Sequence, residues 1–297
     1  MTGLLQRVKS KMSIFAHRKA RGMLDGEYGS VFKGRSLDFE DLRAYVPGDE
    51  VRDIDWKATA RHGSPLVRRY VAARRQTLLL VTDTGRNMAA TSLGGEDKKD
   101  IAVMALGVLG YLAHRHGDDV GLVCGDSSGS RSLPAKGAEA HLERLLQEVN
   151  SKAVLSAPPS DFRTQLEDVA RIYAKRMLLF VVADEILPDS GMERLLRRLR
   201  AQHEILWLTI LDAELADPAP QGSQTAAHYD VADSRTLLSH LAGSAEIDRA
   251  YRLALRERTA AREGMLRRLG IAEATAGSSH EVIPALFDLL ERHRRGR

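Results

Sequence analysis

The sequence predicts an α/β protein: a doubly wound, mostly parallel sheet preceded by an extended arm. Two apolar runs, residues 77–82 (TLLLVT) and 177–183 (MLLFVVA), have the unbroken hydrophobicity of strands buried on both faces. Around them, short apolar runs alternate with longer stretches of helical period, the pattern of successive βα units. Both runs are followed by an aspartate, Asp83 and Asp184, at the end of the strand where open parallel sheets collect ligands.

The first 75 residues are rich in Arg, Asp and Gly, and after about Leu24 they show no sustained helical period. Such a segment buries little surface alone, so it is expected to wrap against the following domain. Its basic, partly amphipathic start, residues 4–15, reads as a docking helix, a helix lying on a membrane surface being the other option. From residue 76 the domain begins with the strand 77–82 and a helix from about Lys98 to His116, closed by Gly117. The strand 120–124 follows. The turn cluster 125–130 (GDSSGS) then reverses the chain into a short strand near 131–133. Helical periods cover 138–149 and 162–175. The buried strand 177–183, a helix near 191–202 and the strand 205–211 continue the alternation. An Ala-, Pro- and Asp-rich loop over 213–223, a short strand at 228–231, and helices over 245–269 and 281–295 complete it. The division is an arm, 1–75, and an α/β domain with C-terminal helices, 76–297, with no solenoid period.

Hydrophobic residues make up 43% and charged residues 28% of the 297, an ordinary globular balance. The formal net charge is only +4, since 44 Lys and Arg face 40 Asp and Glu; electrostatics therefore does not call for nucleic acid. The Arg-rich faces, Arg252, Arg256, Arg258 and Arg262 and the tail around Arg292, are interleaved with Glu257, Glu263 and Glu291 and read as solvated helix faces. With aromatics at 5%, a base-stacking platform is not expected. The single Cys124 lies in an apolar run and reads as a small buried residue, which together with the lack of a signal peptide sets a cytosolic expectation. No run reaches the roughly 18 to 20 apolar residues of a membrane-spanning helix.

Catalytic signatures are missing: no GxxxxGK loop, GxSxG elbow, HExxH or Cys/His metal spacing occurs. What remains is the pair of strand-end aspartates, with Thr164 at the start of a helix between them in sequence. This order resembles the von Willebrand factor A fold, whose metal-ion-dependent adhesion site takes Asp-x-Ser-x-Ser after the first strand, a later Thr, and an Asp after the fourth strand. The resemblance implies Asp83, Asn87, Thr164 and Asp184 as candidate Mg²⁺ ligands, with Gly85 and Asn87 standing where the two serines would be. Gly85 offers no side-chain oxygen to an octahedral ion, so Mg²⁺ is expected to bind weakly or not at all. A structural aspartate cluster with helix-capping roles is the alternative.

A longer likeness lies upstream, in Ser36-Leu37-Asp38-Phe39-Glu40-Asp41-Leu42-Arg43-Ala44-Tyr45-Val46-Pro47-Gly48-Asp49-Glu50-Val51-Arg52-Asp53-Ile54-Asp55-Trp56, followed by Leu66-Val67-Arg68-Arg69-Tyr70. It is similar to the signature of the bacterial family called domain of unknown function 58, which precedes a von Willebrand A-like domain. Read from the residues, Pro47-Gly48-Asp49 is a turn, and Asp49, Arg52, Asp53, Asp55 and Arg61 suit an ion-pair network around Trp56, whose ring would anchor the arm. That clasp competes with a partner-binding surface as the reading of the segment. The likeness implies a non-enzymatic protein-binding module, an adaptor or assembly factor for a MoxR-type AAA+ ATPase. Docking is expected at the strand ends, through Asp83, Arg86, Asn87, Thr164 and Asp184, because crossover loops diverge there and Arg86 offers a planar donor fork. Two other classes stay open. One is a metal-dependent hydrolase or nuclease using Asp83 and Asp184; the other is a nucleic-acid binder using the basic C-terminal helices.

Overall fold

The computed structural model describes residues 3–15, 26–29, 41–46, 51, 54–69, 75–213, 229–232, 235–236 and 245–296. Its centre is a six-stranded sheet built from β3 (Thr77–Asp83), β4 (Asp119–Asp126), β5 (Gly129–Lys136), β6 (Leu178–Ala183), β7 (Glu204–Ile210) and β10 (Ala272–Ala276), in the order β10-β7-β6-β3-β4-β5. All neighbours pair in parallel except the hairpin partner β5, which runs antiparallel at one edge. Counted along the chain this is the order 3-2-1-4-5-6, a doubly wound sheet. It bears out the expectation of a doubly wound, mostly parallel α/β sheet.

Alternation along the strands feeds two apolar layers. Leu78, Leu80, Phe180, Val182, Leu206 and Leu208 face one layer, with helices α1 (Leu4–Phe15), α3 (Lys98–Arg115), α4 (Glu139–Lys152) and α8 (Val282–Arg295). Leu79, Val81, Leu179, Val181, Ile205 and Trp207 face the other, with α5 (Phe162–Ile172), α6 (Ser190–Gln202) and the end of α7 (Ala245–Arg268). The central helix α3 is buried on nearly every side, and Gly107 and Gly110 let its neighbours approach closely. A Cβ at those positions would stand 2.7 Å from Val8 of α1 and 2.7 Å from Leu142 of α4.

The N-terminal helix α1 lies on this layer through Leu4, Leu5, Val8 and Met12, and the backbone N–H groups of Leu4 and Leu5 donate to the Glu143 carboxylate at 2.9 and 2.7 Å. A carboxylate at a helix N-terminus satisfies otherwise orphaned donors. Tyr28 is buried, its hydroxyl 3.1 Å from Asp118 and its ring 5.2 Å from that of His116.

Within the signature segment, β1 (Asp41–Ala44) pairs antiparallel with β2 (Leu66–Arg69), and α2 (Trp56–His62) is capped by Asp55, whose carboxylate accepts from the N–H groups of Lys57 and Ala58. The Trp56 ring is not the buried anchor the sequence suggested: it is 64% exposed. The expected turn at Pro47-Gly48-Asp49, and Arg52 and Asp53 of the expected ion-pair network, lie outside the described residues.

The edge strand β10 has no counterpart among the strands expected from the sequence. That strand is Ala-Glu-Ala-Thr-Ala at the sheet edge, without the β-branched or long apolar run that marks the central strands. The short strand expected near residue 229 is β8 (Tyr229–Asp230), paired with β9 (Arg235–Thr236) outside the main sheet. Among the described residues no helix is long and apolar enough to cross a membrane.

Candidate functional site

Asp83 is the last residue of β3 and only 2% exposed. The alternation that turns Leu79 and Val81 toward α5 carries Asp83 to the same side. Its carboxylate accepts from the Gly85 N–H at 2.9 Å, and burial pushes its pKa up to about 6, opposed by the Ser160 hydroxyl and the N–H groups of Gly85 and Thr84. The loop ahead of α5 lies across this turn. The Arg86 N–H donates to the Pro158 carbonyl at 3.0 Å and the Ser127 N–H to that of Pro159 at 2.9 Å. A Cβ on Gly85 would stand 2.6 Å from both Cα and Oγ of Ser160. Glycine is therefore required here sterically, and the place where a serine oxygen would project is taken by Ser160.

The other candidate residues on this side are engaged within the chain. The Thr164 hydroxyl donates to the Asp161 carboxylate at 2.8 Å. Arg86 donates through Nη2 to the Ala232 carbonyl at 2.8 Å. Asn87 is half-buried in the 3-10 turn Arg86–Ala89, and its Oδ1 has no hydrogen-bond partner among the described residues.

Asp184 lies in a different environment. Phe180 and Val182 of β6 face α3, and Asp184, two residues on, continues that alternation and meets Lys98 of α3. The Lys98 ammonium, 1% exposed, is 2.9 Å from Asp184 and also pairs with Asp212, just past β7. Burial pushes Asp184 up to about 6, with Lys98 opposing and Asp212 adding to the shift. Burial works against the ammonium too, but the Asp184 and Asp212 carboxylates outweigh it and hold Lys98 above the ordinary lysine range.

A second set of charges continues from here. Glu185 accepts from Arg258 at 2.5 Å and lies 3.3 Å from Arg262. Arg262 donates to Glu273 of β10 at 2.8 Å, and Glu273 also accepts from Thr209, which accepts from the Trp207 indole. Arg262 is 0% exposed, so its place on a solvated helix face is corrected. Lys98, Asp212, Glu185 and Arg262 escaped the sequence reading because their partners are distant in sequence and their charges look like ordinary helix decoration.

Asp83 and Asp184 thus point toward opposite layers. Among the described residues no group of three or more His, Cys, Asp or Glu side chains could hold a metal ion. The residues do not fit an octahedral Mg²⁺: Asp184 is capped by an ammonium, Thr164 is paired to Asp161, and Ser160 fills the space beside Gly85. Cys124 is no candidate nucleophile, since burial, with Glu148 adding to it, pushes its thiol up to about 12.

Uncharacterized proteins of Mycobacterium tuberculosis (strain H37Rv) and Mycobacterium bovis are each 28% identical over 204 residues, covering 68% of this chain and 63% of the relative. The chain therefore aligns with less than two thirds of those relatives. Among solved structures, an aerotolerance-related membrane protein from Bacteroides fragilis matches at 12% identity and a TM-score of 0.47, covering 73% of this chain and 99% of the other. The VWA domain of SpRpn10 matches at 13% identity and a TM-score of 0.31, covering 46% and 75%. The model of the family described as Protein of unknown function DUF58 matches residues 41–232, from β1 to the β8 hairpin, and the chain belongs to that family.

Proposed function

We propose that this chain is a non-enzymatic protein-binding module whose docking face lies on the signature arm. The observation that supports this reading is the exposure of large apolar side chains there: Val46 at 55%, Val51 at 62% and Trp56 at 64%. None of the residues of α2 is buried. Large apolar side chains left exposed along one short segment suit an interaction surface, and Trp is a frequent energetic anchor in such surfaces. The backbone beneath is fixed: Ile54 bridges to Val67 of β2, and the Asp55 N–H donates to the Leu66 carbonyl at 2.8 Å. A surface ordered in advance loses less entropy on binding. Asp83, Thr164 and Asp184, by contrast, direct their polar groups to partners within the chain, which leaves Arg86 and Asn87 as the half-exposed rim of the strand ends.

The partner we propose is the MoxR-type AAA+ ATPase that the family likeness implies, met in the cytoplasm. The test is capture of a purified MoxR-type ATPase, with and without ATP and Mg²⁺, by the wild-type chain and by Trp56→Ala. Because the ring is exposed, the substitution should change stability by no more than about 0.5 kcal/mol while weakening capture at least about tenfold, the cost of truncating an anchor. Unchanged capture by the folded variant would remove the arm as the docking face. Capture by neither protein would remove the ATPase as the partner.

A further inference from the structure

Lys98 occupies a place that elementary electrostatics disfavours. It lies in the first turn of α3, where unpaired N–H groups and the helix dipole favour anions over cations. Its side chain is nevertheless 1% exposed, and a buried ammonium persists only where carboxylates or other acceptors hold it. Two do: Asp184 at 2.9 Å, and Asp212. These carboxylates follow neighbouring parallel strands, β6 and β7, at the end of the sheet where doubly wound folds collect ligands.

We propose that the Lys98 ammonium is this site's own cation: it holds the position between Asp184 and Asp212 that a divalent ion would otherwise take, so the strand ends are complete without metal. Further positive charge stands beside the pair: Arg258, ion-paired to Glu185, lies close enough to act on both aspartates. The aspartate of the neighbouring strand is not available to enlarge the site, because Asp83 turns to the other layer beneath the Ser160 loop. Removing the ammonium would leave two carboxylates converging on a vacated point, an arrangement of hard oxygens that Mg²⁺ or Mn²⁺ can neutralise.

The experiment is thermal melting of the full chain in MgCl₂, MnCl₂ or EDTA. The wild-type midpoint should be the same in all three. Lys98→Met should melt lower in EDTA and recover part of the loss in MnCl₂, and the recovery should vanish in the double variant Lys98→Met with Asp184→Asn. A wild-type midpoint that rises in MgCl₂ or MnCl₂, with the rise lost in Asp184→Asn, would overturn the proposal. So would a folded Lys98→Met that gains nothing from MnCl₂. Should Lys98→Met fail to fold, paramagnetic broadening by Mn²⁺ on the wild-type chain decides. The amide signals of Glu185 and Ala213 should stay sharp, and selective broadening of them would place a metal at the site and overturn the assignment.

Discussion

At the scale of single residues, Asp83 and Gly85 show why a motif can be present in outline and different in chemistry. The Asp83 carboxyl holds its proton to about 6 rather than the ordinary 3.8 because burial disfavours its ionised form. The folded state therefore binds more protons than the unfolded one between those values, and stability falls as pH rises through that window. Asp83→Asn should be more stable than wild type at pH 7, by on the order of 2–3 kcal/mol, with the gap closing as pH falls toward 4. Paired melting curves across the window check this, and a gap independent of pH would show that Asp83 does not titrate there. The comparison must be made against wild type at each pH. His293, pushed down to about 4 by burial and by Arg200, contributes in the opposite sense, its stability being lost as pH falls from 6.5 through about 4. Gly85→Ser restores the serine that the adhesion-site pattern asks for, yet its Cβ would stand 2.6 Å from the Ser160 backbone. We expect a loss of about 1–3 kcal/mol from overpacking and no added stabilisation by Mg²⁺; a variant that melts normally and gains from Mg²⁺ would mean that the Ser160 loop yields. The aspartates themselves were legible in the sequence, because each ends an apolar run. Their divergence was not: it depends on Asp83 falling in phase with Val81 and Asp184 in phase with Val182, a relation between two strands that neither run contains.

At the scale of elements, the central strands could be read because a strand buried on both faces has no choice but continuous hydrophobicity. Edge strand β10 could not, because one side of it needs no apolar cover and its identity comes from pairing with β7. Helix α7 carries a related ambiguity. Arg252, Arg256, Arg258 and Arg262 look equivalent along it, yet Arg256 is exposed while Arg262 is fully buried between Glu185 and Glu273. Arg262→Ala should cost about 3–5 kcal/mol, because it leaves the largely buried Glu273 carboxylate without its cation and takes from Glu185 one of its two, whereas Arg256→Ala should stay within about 0.5 kcal/mol. Chemical denaturation of the two variants side by side checks the pair. Similar midpoints would mean that the α7 network contributes nothing to the hold of the helix on the sheet.

At the scale of the whole molecule, the residues shared with the family and the residues needed to fold are not the same set. The family match ends at 232, but the sixth strand and the last helix come after it. Leu206, Leu208 and Ile210 of β7 share their core layer with Val282, Leu286, Leu289 and Leu290 of α8, all buried. Ahead of the match, Leu4, Leu5, Val8 and Met12 of α1 lie in the same layer. Each large side chain stripped of this cover returns about 1.5–3 kcal/mol of apolar stabilisation to water, before the entropy regained by the released segment is counted. With four such side chains lost from α1 and as many from α8, the deficit reaches the total stability of an ordinary domain, about 5–15 kcal/mol. A fragment of residues 41–232 is therefore expected to be aggregated or to lack a cooperative melt. Residues 16–297, lacking only α1, should melt cooperatively but at a lower midpoint than the full chain. Calorimetry on the three chains checks the ordering. A fragment 41–232 that melts as cooperatively as the full chain would show that the family-matched core closes without β10 and α8, and that β7 tolerates a bare edge.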